Sequence, residues 1–548
     1  MYSTRTPAWA LRAPSTTVTL PLALLLISLL AYMAARKLTL FAAHESEAHA
    51  FALTVFCCVA ALPFVAIRYG DIPFMLRAIV RGIGIVVFVQ VLFDAFGPVP
   101  PAPNLILGEG GAHALFFRWG MLIAVVAGTI GMLRPAFLAP LLYYYILWRH
   151  LIGPRTDMWV TDTDYFAMLD GIAFAVISTL VIITATSEWT LQRAPWLRGL
   201  LADMPPMVLR QKASMLIWAV VVGAHLGNYF CSGVAKLVAG GPEPWTWLLD
   251  NPTQTAIVIG LERGNNPLAT FPTLLQGSWD IIANFTLAFN FVVLGAQLFS
   301  PFAILRKRWL LFFTLLFDVF HIIVYFTLGA LFHYWIAVNL IVYTSAWRLK
   351  ESELTPMVKG VCIAAALFGH TVFYTNFLGW LDAARLASPQ FYAITKDGRE
   401  VWMTSAYFGI YSYSIAQTAL YVPEGQFPHR IGGNLNNLQD WREASACMAS
   451  NQEKAQEIGG ATMASVDRLV RETDAFMRRY PAIKNDNLYY LYPHHMQPNP
   501  WVFTEFNRLK IDDIIGYKYV VDSVCLDLRG GELRRDVKAR AEFRFDVR

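Results

Sequence analysis

The sequence predicts an all-α polytopic membrane bundle with a C-terminal α+β extracytoplasmic domain. Three observations carry this. Apolar stretches of membrane-crossing length recur through residues 1–384. Hydrophobic residues make up 56% of the chain and charged residues only 15%, far from an ordinary soluble composition. From about Arg385 to Arg548 the composition turns polar, with Pro, Asn and charged residues among apolar positions spaced for a water-soluble core.

A span of about 20 apolar residues matches the hydrocarbon thickness of a bilayer. Taken in order, the predicted spans are Leu20–Ala35, Ala48–Ile67, Gly82–Phe96, Ala112–Met132, Ala136–Trp148, Phe166–Thr186, Met215–Ala235, Asn284–Ala303, Trp309–Leu328, Phe332–Trp347 and Val358–Leu378. The fifth is short and reads equally as a re-entrant or interfacial piece. Lys and Arg near span ends stay on the cytoplasmic side. With the N-terminus inside, the inner segments collect Arg5, Arg12, Arg68, Arg77, Arg81, Arg134, Arg193, Arg198, Arg210, Lys212, Arg306, Lys307, Arg308, Arg348 and Lys350. The outer loops keep Arg36, Lys37, Arg149, Arg155, Lys236 and Arg263. The asymmetry predicts an odd number of spans, a cytoplasmic N-terminus and an outside tail. The first span has basic flanks like a signal peptide, but its apolar core is long and further spans follow, so it reads as an uncleaved anchor.

The formal charge of +5 lies largely on the inner loops, where it sets orientation. No basic run is interleaved with aromatics as in a single-strand binder, so nucleic acid is not an expected partner. The expected partners are the lipid bilayer and a peptide or protein at the extracytoplasmic face. Cys57, Cys58, Cys231 and Cys362 fall in spans, whereas Cys447 and Cys525 lie in the tail, where an oxidising compartment lets them pair. No Cys-x-x-Cys, His-Glu-x-x-His or Glu-x-x-His pattern occurs, so no metal is predicted.

In the tail, Phe391–Thr404 reads as a hairpin turning at Asp397-Gly398, because Asp-Gly supplies the positive φ of a tight primed turn. Leu438–Tyr480 has helical periodicity broken near Gly459-Gly460. Tyr517–Leu528 and Glu532–Val547 read as strands joined across Gly530-Gly531.

An ionisable group inside a span costs several kcal/mol unless it is paired or faces a cavity. In the seventh span His225, Asn228, Ser232 and Lys236 recur at helical spacing and share one face. This stripe reads as a site pointing into a wet cavity, or as Asn and Ser joining helices while Lys236 reaches the interface. Gly227 and Gly233 let a neighbour approach closely. In the ninth span Asp318 and His321 lie one turn apart, so the carboxylate is expected either to orient the imidazole or to lock two helices as an ion pair. His333, His370, Asn290, Gln297 and Asn339 read as helix-packing contacts, and Arg118 and Asp170 as structural.

The run Tyr229-Phe230-Cys231-Ser232-Gly233-Val234-Ala235-Lys236-Leu237, followed by Trp245 and Trp247, resembles the Gly-Val-x-Lys-Leu segment of vitamin K-dependent γ-carboxylase and its bacterial relatives with an HTTM domain. Asp318-Val319-Phe320-His321, leading into Leu328-Gly329-Ala330-Leu331-Phe332-His333-Tyr334-Trp335, resembles that family's His-containing span. The likeness is strongest over Tyr229–Tyr343, and an HTTM-like core of about residues 150–350 is expected. The resemblance implies a quinone or hydroquinone cofactor and oxygen chemistry, with Lys236, as a neutral amine, the base and His321 a positioning residue. Asp318 and His225 join them as candidate catalytic residues, and Asn228, Ser232, Tyr229 and Trp245 as candidate cofactor contacts. The family's Asn-His pair has no counterpart in Asp162-Thr163-Asp164-Tyr165-Phe166, which implies quinol chemistry more directly than Glu carboxylation. Two classes lead: a quinol-using or carboxylase-like enzyme of the bacterial inner membrane, and a non-catalytic assembly, maturation or scaffolding subunit; a third, a transporter, is set back by the lack of visible inverted repeats or paired broken helices. His494-His495 reads as a loop hydrogen-bonding pair.

Overall fold

The computed structural model describes residues 16–96, 111–156, 164–193, 204–416, 420–423, 425–427, 438–447, 462–479, 488 and 494–547. The sequence runs first through α1 (Thr16–Glu45), α2 (Glu47–Ala61), α3 (Phe74–Phe96), α4 (Met121–Gly131), α5 (Leu138–Thr156), α6 (Asp164–Ala185) and α7 (Pro206–Ala239). It continues through α8 (Thr255–Glu262), α9 (Pro272–Asn284), α10 (Thr286–Phe299), α11 (Lys307–Leu328), α12 (His333–Trp347) and α13 (Pro356–Phe368).

Each predicted apolar stretch falls on one of these helices. Among the described residues, seven helices are long and apolar enough to cross a membrane, which is compatible with a membrane-embedded protein. Local chemistry fixes several ends. The Ser46 side chain accepts the His49 amide at the start of α2, and Thr355 accepts the Val358 amide ahead of Pro356 at the start of α13. At its far end α11 stops on Gly329, whose φ of +76° is a left-handed cap that glycine adopts without penalty.

Two elements differ from expectation. The short fifth stretch belongs to the 19-residue helix α5, buried along most of its length. The eleventh stretch is α-helical only to Phe368, a single 3₁₀ turn follows at Gly369–Thr371, and residues 374–383 run on without regular structure. Non-helical backbone at such a place must find hydrogen-bond partners in protein. It finds them on α7.

That helix is the axis of the bundle. Nearly all of its most apolar stretch is buried, and it packs closely on α13 because Gly223 and Gly227 leave room. A Cβ on Gly223 would lie 2.3 Å from the Cys362 carbonyl oxygen, and one on Gly227 2.8 Å from that of Ala366.

The C-terminal part forms an antiparallel sheet of β1 (Arg385–Thr395), β2 (Glu400–Trp402), β3 (Ile514–Arg529) and β4 (Glu532–Asp546), in the order β2-β1-β3-β4. The hairpin glycines Gly398, Gly530 and Gly531 all take positive φ. One sheet face carries buried Phe391, Tyr517, Tyr519 and Val521. Against that core lie Val466, Leu469 and Val470 of α15 (Met463–Arg479), which follows the shorter α14 (Leu438–Ser445). The predicted break at Gly459-Gly460 lies outside the described residues, as do Asp162 and Thr163. Cys447 and Cys525 form a disulfide, their Cα atoms 6.0 Å apart.

The sheet is tied to the helices by named contacts. Glu262 at the end of α8 accepts from Ser388 and Gln390 of β1 and from Arg535 of β4. The Leu331 amide donates to the His495 carbonyl at 2.7 Å, and the Gly531 amide to Gln276 at 2.8 Å.

Candidate functional site

The stripe on α7 divides between two structures. Asn228, Ser232 and Lys236 hold the irregular 374–383 segment. The Asn376 amide donates to Asn228 Oδ1 at 2.8 Å, Ser232 Oγ donates to the Asn376 carbonyl at 3.3 Å, and the Leu378 amide donates to Ser232 Oγ at 3.2 Å. Lys236 Nζ donates to the Leu378 carbonyl at 2.7 Å. Three side chains one turn apart thus satisfy backbone groups that a helix would have satisfied itself. Gly379 completes the fit, since a Cβ there would meet the backbone of Ala235 at 2.2 Å.

Lys236 is 8% exposed. Its Nζ lies 5.2 Å from the centre of the Trp247 ring and 6.0 Å from that of Trp380. Indole faces attract an ammonium through their quadrupole. Beside them Asp382 accepts from Asn251 Nδ2 at 2.9 Å and from Trp380 Nε1 at 3.0 Å. Burial raises the Asp382 carboxyl to about 6, against the pull of those donors and of Lys236. Trp245 stands apart, 55% exposed, while Trp247, 5% exposed, is the ring that meets the lysine.

His225 and Tyr229 turn to the other structure, a buried polar cluster between α7, α11 and α12. Its hub is Asn339. The Asn339 amide nitrogen donates to Asp318 Oδ1 at 2.8 Å and to Tyr229 Oη at 2.9 Å. Both its protons are then spent, so Oδ1 is the acceptor for His225 Nε2 at 2.7 Å, and that ring carries its proton on Nε2. Aromatic rings close the walls. Tyr229 stacks on Phe317 at 3.7 Å, and Trp335 lies 5.5 Å from His225 and 5.6 Å from Tyr229. His321 sits 5.9 Å from Tyr229 and 5.3 Å from Phe332.

Three polar atoms in this cluster have no hydrogen-bond partner among the described residues: Asp318 Oδ2, His321 Nδ1 and Trp335 Nε1. Their residues are 6%, 5% and 7% exposed, so water does not supply one from the surface. An unanswered buried polar group costs about 1–3 kcal/mol, and such groups gather where a site serves something other than folding. The expected coupling of Asp318 to His321 is not made as a hydrogen bond or an ion pair, because the described carboxylate bond goes to Asn339. A cavity of about 30 Å³, room for about one water, adjoins the cluster along His225, Asn228, Tyr334 and Trp335. Neither Lys236 nor His321 lines it.

Of the predicted residues, then, the structure brings His225, Tyr229, Asp318 and His321 together, and Asn228, Ser232 and Lys236 together elsewhere on the same helix. Asn339, read from sequence as a packing contact, is the centre of the first group. Trp335 was visible only as part of a motif. Asn290 does pack helices: its amide reaches the carbonyls of Trp247 and Asn251. Asp170 accepts the Tyr374 amide at 2.7 Å and pairs with Arg36 at 3.5 Å. His494 and His495 are buried, the first bonded to Ser412 and the second stacked on Phe332 at 4.8 Å. Among the described residues no three His, Cys, Asp or Glu side chains group as metal ligands.

Comparison with models of protein families, with curated proteins and with solved structures found no match for this chain.

Proposed function

We propose that this chain is an HTTM-like multi-pass protein of the inner membrane, N-terminus cytoplasmic and C-terminal domain extracytoplasmic, whose α7–α11–α12 cluster handles a proton for a quinol-type cofactor. The observation that supports it most is the set of unpartnered atoms Asp318 Oδ2, His321 Nδ1 and Trp335 Nε1 within aromatic walls. Their chemistry fits a flat apolar ring with oxygens at its edge. Trp335 donates, the Asp318 carboxylate accepts, and the His321 nitrogen accepts or donates with its protonation. The adjoining cavity takes only about one water, so entry of a ring requires the Trp335 or Tyr334 side chain to turn.

A hydroquinone, when bound, supplies the reducing equivalents for chemistry with oxygen. The chain's own part is to move the proton and exclude water. His321 takes a hydroxyl proton at Nδ1. Asp318, fixed at Oδ1 by Asn339, stabilises the imidazolium through its free Oδ2, and His225 holds Asn339 in the required orientation. Lys236 is the base that the γ-carboxylase resemblance implies. In this chain its Nζ already serves the Leu378 carbonyl and faces two indoles, so the proton-accepting role passes to His321 and Lys236 anchors the 374–383 segment. A peptide or protein substrate at the extracytoplasmic face belongs to the same reading.

The second reading, a non-catalytic assembly or scaffolding subunit, draws support from one observation. Asn228, Ser232 and Lys236 are consumed by packing.

Quinone bound to the purified protein separates the two. Wild type prepared in mild detergent and extracted with solvent is expected to yield near-stoichiometric quinone, and Trp335→Ala to yield little. No quinone in wild type removes the enzyme reading and leaves the scaffold.

A further inference from the structure

Beyond the membrane-crossing helices, the turn after α8 buries a charge that the protein leaves unanswered. Arg263 is partly exposed as a residue, yet its Nε, Nη1 and Nη2 are all shielded from solvent and none has a hydrogen-bond partner among the described residues. An ordinary arginine does the reverse, burying its methylene stem and sending its head to water. Two residues on, Asn265 is 2% exposed, and neither its Nδ2 nor its Oδ1 is bonded to any described residue.

The neighbouring groups are already committed. Glu262 receives Arg535, Ser388 and Gln390. Asn266 donates to the Thr327 carbonyl at 2.7 Å, at the end of α11. The turn itself is firmly built: the Asn265 and Asn266 amides both donate to the Gly260 carbonyl, and Gly264, at φ +68°, lies against the rings of Phe503 and Trp402. Burial pushes the guanidinium down to about 9 against the attraction of Glu262, which leaves it charged at neutral pH. A buried cation with a carboxylate nearby but no hydrogen bond to it is among the costlier arrangements a protein can hold. One short turn thus carries an unbonded guanidinium and, two residues on, an unbonded side-chain amide, and a single group able to accept and donate would answer both.

We propose that the Arg263–Asn265 turn binds an oxyanion, a carboxylate or a phosphate, in the fork of Arg263 with the Asn265 amide as a further donor. The planar guanidinium matches two oxygens of either group. The Asn265 Oδ1 accepts from a protonated oxygen, which a monohydrogen phosphate supplies. The anion comes from solution or from a lipid headgroup.

Thermal unfolding of the full chain in neutral detergent tests this. Sodium phosphate, sodium acetate and, below its micellar concentration, dihexanoyl phosphatidylglycerol are titrated against chloride at matched ionic strength. Wild type is expected to show a saturable rise of the midpoint by a few degrees. Arg263→Met is expected to show none, while matching or exceeding wild type in chloride alone, because it removes the unanswered charge. Asn265→Ala is expected to need a higher concentration for the same rise. A response to phosphate or acetate identifies a free anion, and a response to the lipid alone identifies a headgroup. No saturable rise with any of the three, or an equal rise in Arg263→Met, overturns the site. The readout is independent of quinone, so it stands or falls apart from the proposed function.

Discussion

His321→Gln is expected to lower quinol turnover by about 10²–10⁴-fold, the usual worth of a positioned acid–base group, with the unfolding midpoint close to wild type. Glutamine nearly fills the imidazole's volume and keeps a polar edge toward Phe332 and Trp335, so packing changes little. It cannot accept a proton. Asp318→Asn is expected to act in the same direction: Asn339 keeps a partner at Oδ1, but the charge at the free Oδ2 is gone. Oxygen-dependent oxidation of a short-chain quinol, followed by absorbance in detergent, reads both. Unchanged turnover in both variants would remove this cluster from the chemistry.

Glu262→Ala is expected to destabilise the folded chain by about 3–5 kcal/mol, the scale for breaking one side of a buried ion pair. The Glu262 side chain is 1% exposed. Its Oε2 takes Arg535 Nε at 2.8 Å and its Oε1 takes Arg535 Nη2 at 2.9 Å, while Ser388 and Gln390 also donate to Oε1. One carboxylate thereby joins α8 to both β1 and β4. Its loss leaves Arg535 only Asp522 among these acids, and Asp522 is shared with Arg540. Burial pushes the Asp522 carboxyl up, but the hydrogen bonds from Arg540 and Arg535 outweigh it and hold it below the usual range. Denaturant unfolding in detergent measures the loss, and adding Arg535→Met to Glu262→Ala is expected to recover part of it. A loss below about 1 kcal/mol, as for an exposed pair, would mean that the network is open to water.

Apolar length located the long helices, because burial over a whole stretch leaves a signal in composition, but not the shorter α8 and α9, which fall between two predicted stretches. Asp397-Gly398 and Gly530-Gly531 located the hairpins, because few residues other than glycine accept positive φ. The end of the last helix at Phe368 was not legible. Residues 369–378 still mix Val372, Phe373, Phe377 and Leu378 with Gly369, His370, Thr371, Thr375 and Asn376, and the partners that draw their backbone out of a helix sit on α7, about 140 residues earlier in the chain. The polar stripe was legible as a stripe, but its division was not. Helical spacing puts His225, Asn228, Tyr229, Ser232 and Lys236 on one side, and only the neighbours decide that Asn339 takes His225 and Tyr229 while Asn376 and Leu378 take the rest. Asn339 itself carries no charge and interrupts an ordinary apolar run, so nothing in its local sequence marks it as a hub. Arg263 was counted only as a loop charge, since burial of its head depends on a turn closed by Gly260 and Gly264.

In the proposed function, proton handling belongs to the α11 imidazole rather than to the α7 amine. Lys236→Met, assayed for quinol turnover beside His321→Gln, tests it most directly. The expected result is a Lys236→Met enzyme within about tenfold of wild type, with a lowered unfolding midpoint because the Leu378 carbonyl loses a charged donor. A Lys236→Met enzyme that keeps its midpoint and loses turnover, beside a His321→Gln enzyme that keeps turnover, would contradict the account.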